Sequence, residues 1–115
     1  MRAAALVAIA LALAAPATAA APARLLVTAS EFRLTLSRAS IKAGPAVVQL
    51  VNQGEDAHDL RLRRVGGTRI YKIQTVAPGD VGELDARLLP GAYRLWCSVA
   101  NHAALGMRTR LLVRR

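Results

Sequence analysis

Tyr93-Arg94-Leu95-Trp96-Cys97-Ser98-Val99-Ala100-Asn101-His102-Ala103-Ala104-Leu105-Gly106-Met107, followed by Arg108 to Val113, is the stretch that decides the fold. It reads as a strand over Tyr93–Val99, a loop of small residues, and a second strand over Arg108–Val113. Side chains alternate across a strand, so Tyr93, Leu95 and Cys97 share one face and Arg94 and Trp96 the other. If Cys97 faces the interior, Tyr93 is buried and Trp96 faces outward or lies at an edge.

The same grammar extends back through the chain. Glu31–Leu36 alternates, with Phe32, Leu34 and Leu36 on one side. Lys42-Ala43-Gly44-Pro45 reads as a turn, Ala46–Val51 as a strand and Asn52–Asp56 as a loop. Leu60 and Leu62 alternate with Arg61 and Arg63, and Gly66-Gly67 turns the chain. Ile70–Val76 and Glu83–Leu89 are further strands, closed by Ala77–Asp80 and by Leu89-Pro90-Gly91. Turn signals about every ten residues predict an antiparallel sandwich or barrel. No capped helical period follows residue 24, and there is no internal repeat.

Composition narrows the class. The chain has 115 residues, enough for one modest domain. Lys and Arg number 16 against 7 Asp and Glu, a formal net charge of +9. Aromatic residues are only 3%, too few for a platform that stacks single-stranded bases, so nucleic acid is not an expected partner. One cysteine excludes an internal disulfide and a four-thiolate zinc site.

The N-terminus reads as an export signal. Met1-Arg2 is followed by an apolar run over Ala3–Ala15, then Pro16 and the small residues Ala17-Thr18-Ala19. The run is shorter than the roughly 20 residues of a membrane-spanning helix. Residues 1–20 are expected to be removed and residues 24–115 to form the mature domain, carrying about +8 because only Arg2 is lost. A periplasmic or secreted location follows.

The chemistry is concentrated. The chain has two histidines, His58 and His102, one cysteine, Cys97, and one methionine after the initiator, Met107. Three of these four fall within residues 97–107; His58 opens a strand after the loop over 52–57. A thiolate and a thioether favour copper(I), and imidazoles also serve copper(II). Two His and one Cys in a plane with a distant Met suit a copper that cycles between both states, whereas zinc rarely recruits Met. Alone, each residue has a plainer reading, as core filler or a hydrogen-bonded loop residue. Together they are the chain's whole supply of such donors.

The residues Asn52–Leu60, with their His58-Asp59 pair, resemble the first copper-histidine loop of the cupredoxins, the plastocyanin- and azurin-like blue copper proteins. The Cys-x4-His-x4-Met spacing of Cys97, His102 and Met107 resembles their C-terminal copper loop. The resemblance spans roughly Leu26 to Val113. One departure is Asn101, where many relatives have Gly; Asn tolerates a left-handed backbone better than most residues.

That resemblance implies an all-β fold, a Greek-key β-sandwich with one type 1 copper at one end. His58, Cys97 and His102 would be strong ligands and Met107 a weak axial one. It further implies a hydrogen bond from Ser98 to Asp59, which would tie the two ligand loops together, and a corner-bracing role for Tyr93. The implied function is single-electron transfer without bond-making, not enzyme catalysis. His102 would be the electron port, framed by Ala103, Ala104 and Leu105. The expected partner is a redox protein such as a cytochrome or copper enzyme, and the chain itself is expected to be a monomer.

Arg61, Arg63 and Arg64 follow the first histidine, and Arg108, Arg110, Arg114 and Arg115 follow the methionine. Two readings stay open: a solvated sheet face, or steering toward an acidic redox protein or an anionic membrane surface. Alternatives to electron transfer are a copper carrier of the same fold, which usually has surplus Met or His, and an interaction domain that ignores the metal. Four protein ligands leave no open position for an enzyme's substrate.

Overall fold

The computed structural model describes residues 1–15 and 21–115. Residues 1–15 are exposed and carry no regular secondary structure, and the expected cleavage segment over 17–19 lies outside the described residues. Among the described residues no helix is long and apolar enough to cross a membrane.

Nine strands follow: β1 Ala23–Ser30, β2 Arg33–Leu36, β3 Ser40–Lys42, β4 Gly44–Asn52, β5 His58–Arg64, β6 Ile70–Val76, β7 Val81–Leu88, β8 Gly91–Trp96 and β9 Arg108–Arg114. They form two sheets, ordered β2-β1-β4-β7 and β3-β9-β8-β5-β6. The alternation of β4 is the simplest to follow: Ala46, Val48 and Leu50 are buried, while the residues between them are only partly so. Opposite them, Leu60 and Leu62 of β5, Leu95 of β8 and Leu111 and Val113 of β9 face inward. Each such side chain contributes about 1.5–3 kcal/mol by leaving water. Tyr93 is buried and its hydroxyl donates to the Leu89 carbonyl at 2.9 Å, bracing the β7–β8 corner.

The sheets are not purely antiparallel. β1 pairs with β4 in parallel, and so does β3 with β9. Local alternation reports which face a residue takes but not which strand lies beside it, so the antiparallel expectation is corrected here. Parallel neighbours need long connections, and the chain supplies them by crossing repeatedly between sheets.

Three local expectations also shift. The strand expected from Glu31 begins at Arg33, so Leu34 is buried but Phe32 stays 37% exposed. The segment Lys42–Pro45 is no free turn: β3 ends and β4 begins within it, with Gly44 at φ 107° as the pivot. The strand expected over Tyr93–Val99 stops at Trp96, releasing Cys97 into the loop.

Candidate metal centre

The site lies where β5 begins and β8 ends. β5 pairs with β8, placing Arg61 opposite Trp96 and so bringing the start of β5 beside the residues that follow β8. Between β8 and β9 the loop folds back through tight turns. The amide of His102 donates to Val99 O at 3.0 Å, that of Gly106 to Ala103 O at 3.1 Å and that of Met107 to His102 O at 3.1 Å. The Cys97 amide closes the loop by donating to Met107 O at 3.1 Å. The left-handed residue of this loop other than glycine is Ala100, at φ 43°, and not Asn101. Gly106 sits at φ 126°, and a Cβ there would meet the Phe32 carbonyl oxygen at 2.9 Å. Only glycine satisfies both demands.

These bonds bring His58, Cys97 and His102 together, all three buried. His58 Nδ1 lies 3.2 Å from His102 Nδ1, and Cys97 Sγ lies 3.9 Å and 3.7 Å from the two nitrogens. The point in their plane equidistant from these three atoms is about 2.1 Å from each, the length of a bond from a transition metal to imidazole and about 0.2 Å short of one to thiolate. Met107 is fully buried, shares backbone hydrogen bonds with both Cys97 and His102, and completes the cluster.

The outer nitrogens of both rings face carboxylates. His58 Nε2 lies 3.0 Å from Glu31 Oε1, and His102 Nε2 lies 3.5 Å from Asp56 Oδ2. An ionised carboxylate only accepts, so in a neutral His58 ring the hydrogen sits on Nε2 and the lone pair on Nδ1. That lone pair faces His102 Nδ1 across 3.2 Å, beside the Cys97 sulfur. A cation among them would accept electron pairs from both ring nitrogens and the sulfur, so the donors present fit a metal ion. The thiol's pKa is raised, chiefly by burial, and the Asp59 amide, 3.5 Å from Sγ, partly counters this by favouring the thiolate.

Asp59 links the two ligand segments. Its carboxylate accepts from the Ser98 amide at 2.6 Å and from the Ser98 hydroxyl, and Arg61 Nη2 lies 3.3 Å from it. Ala103 is half-buried, Ala104 and Leu105 are exposed, and His102 is 6% exposed among them. Phe32 leans on the His102 ring with centroids 5.2 Å apart.

Sequence reasoning missed Glu31, Phe32, Asn52 and Asp56. Glu31 Oε1 accepts from the amides of Glu55 and Asp56 at 2.9 and 2.7 Å as well as meeting His58. Those bonds lower its pKa to about 2, the Asp56 amide contributing most. Gly54 permits the approach, since a Cβ there would lie 2.5 Å from the carboxylate. Asn52 is fully buried; its amide nitrogen donates to the carbonyls of Asp56 and Val76, and its oxygen accepts from the Gly54 amide. An asparagine at a strand end was the one available signal. Glu31 offered none, being 27 positions from its partner histidine.

No protein-family model matches the chain, and no curated protein matches it. Solved structures do. Dithionite-reduced auracyanin from Roseiflexus castenholzii aligns with a TM-score of 0.66 at 16% identity, covering 84% of this chain and 100% of that one. An azurin, iso-2, from Methylomonas sp. strain J gives 0.64 at 16% identity over 83% and 100%. Auracyanin A from Chloroflexus aurantiacus, described as a "blue" copper protein, gives 0.66 at 14% identity over 82% and 100%. At such low identity the likeness is one of architecture, and on that ground the chain has the cupredoxin fold.

Proposed function

We propose that this chain is a small type 1 copper protein that passes single electrons between redox partners. The carrying observation is the buried triangle of His58 Nδ1, His102 Nδ1 and Cys97 Sγ, with Met107 beside it. Copper bound there supplies one-electron exchange between its cuprous and cupric states. The protein's part is to hold the donors still. Glu31 orients the His58 ring, and the Asp59–Ser98 bonds fasten β5 to the cysteine segment. Donors held from outside change position little between oxidation states, so little reorganisation opposes transfer.

Electrons would pass at the His102 edge. The exposed surface there is Phe32, Ala104 and Leu105, an apolar collar suited to brief contact with another protein. A copper carrier needs donors it can surrender, and burial of all four disfavours that role. Export to the periplasm or the medium accords with the apolar N-terminal run and with a free thiol that a metal would protect.

The test is to add Cu(II) to the purified domain. An intense visible thiolate-to-copper charge-transfer band is expected, and Cys97→Ser should abolish it. A sample that stays colourless and metal-free overturns the proposal.

A further inference from the structure

The second sheet carries arginines at matched positions on its outer face. Arg63 of β5 lies opposite Arg94 of β8, which lies opposite Arg110 of β9. The neighbouring row reads Arg61, Trp96, Arg108. The inward residues between them, buried Leu62 and Leu95 and half-buried Thr109, with buried Leu111 next along β9, fix both rows on the outer side. Residues paired across an antiparallel ladder have Cβ atoms about 4.5–5.5 Å apart. Five arginines and one tryptophan therefore share a patch three strands wide.

Four of the five, Arg63, Arg94, Arg108 and Arg110, are exposed, and Trp96 is partly so. The Arg63 guanidinium lies 5.8 Å from the Trp96 ring centre. Among the described residues only Arg61 of this set is in an ion pair, with Asp59, and its Nη1 is buried without a hydrogen-bond partner. Like charges placed opposite each other destabilise a sheet, so folding alone gives no reason for the arrangement. Of the chain's carboxylates only Asp59 reaches the grid, at Arg61; Glu31, Glu55 and Asp56 lie at the metal end, and Asp80, Glu83 and Asp85 on or beside β7.

We propose that this arginine grid is a docking surface for the carboxylate-rich face of an acidic redox protein, with Trp96 as its apolar contact. The inference rests on the electron-transfer reading and names the partner's chemistry and its seat. Guanidinium forks bind carboxylates in bidentate pairs, and Arg and Trp are the residue types enriched at interface anchors. The groove over the grid reaches Ala103, and Trp96 is the chain neighbour of Cys97, so a docked partner lies within one residue of two metal ligands. A single indole gives successive bases nothing to stack on, which favours a protein over nucleic acid. Three strands span about 10 Å, the footprint of a few carboxylates rather than of a lipid surface.

The experiment is an NMR titration of the copper-free protein with an acidic c-type cytochrome at low salt. Parallel titrations use duplex DNA and phosphatidylcholine–phosphatidylserine vesicles. Amide shifts are expected along β5, β8 and β9 and at the Trp96 indole, fading as salt approaches physiological strength. The Arg94→Glu/Arg110→Glu variant should bind the cytochrome about tenfold or more weakly, and with copper it should keep its visible band. The reversals relieve repulsion, and an Arg94→Gln/Arg110→Gln pair gives the same reading should they disturb folding. Shifts confined to Ala104–Leu105, equal binding by the variants, or tighter binding of DNA or vesicles overturns the proposal. Because docking is read without copper, a missing copper band would sink the electron-transfer reading separately.

Discussion

Glu31 shows how much a metal centre depends on a residue that never touches the ion. One oxygen of its carboxylate serves His58 and two amides of the facing loop, and those bonds hold its pKa near 2. Negative charge behind a ligand ring makes the imidazole a stronger donor and favours the cupric state. Glu31→Gln keeps the shape and removes the charge. Loss of an outer partner costs about tenfold in metal affinity at the low end. If that loss falls on the cupric form, the reduction potential rises by about 60 mV. Voltammetry of the two proteins decides it, and equal potentials would make Glu31 a bystander. The acid side follows from the same carboxylate. Its folded pKa of about 2 lies below the ordinary 4.5, so its contribution is intact above pH 4.5 and is lost as pH falls toward 2. Thermal melts of the copper-free protein should therefore fall more steeply across that window than melts of Glu31→Gln.

Two corners position the strands that carry the ligands. At the β8–β9 loop, Gly106→Ala would force a left-handed alanine against the Phe32 carbonyl. A cost of about 1–3 kcal/mol is expected from denaturant unfolding. At the β7–β8 corner, Tyr93→Phe loses the bond to Leu89 O, worth about 1 kcal/mol. Burial raises the Tyr93 pKa above its ordinary 10, so wild-type stability is full below pH 10 and declines as pH rises through the folded value. Tyr93→Phe should lack that part of the alkaline decline in a pH series of melts. These corners also show what the sequence could and could not convey. β4, β9 and the Leu60–Leu62 part of β5 were legible because inward and outward residues alternate along them, whereas β6, whose buried Ile73 and Val76 are three apart, was legible only as a β-rich run between turns. β3 was hidden because three residues are too few for a period, and the β1–β4 pairing because register is written in contacts between distant segments. Within the site, His58, Cys97 and His102 stood out through scarcity, whereas Glu31 and Asp56 looked like any surface acid.

Across the whole molecule the metal donors join segments far apart in sequence. His58 comes from β5, Cys97, His102 and Met107 from the loop before β9, and Glu31 and Phe32 reach the site from the β1–β2 turn of the other sheet. A domain of this size buries a limited core, so an ion bound only by the folded state should stabilise it measurably. At a free concentration a hundred times its Kd, the gain is about 2.7 kcal/mol. Denaturant unfolding with and without copper should show a higher midpoint at an unchanged slope, reversed by a chelator. In Cys97→Ser the gain should shrink, because one of three strong donors is lost while the sandwich is retained. A wild-type midpoint indifferent to copper would mean that the buried triangle does not close on the ion.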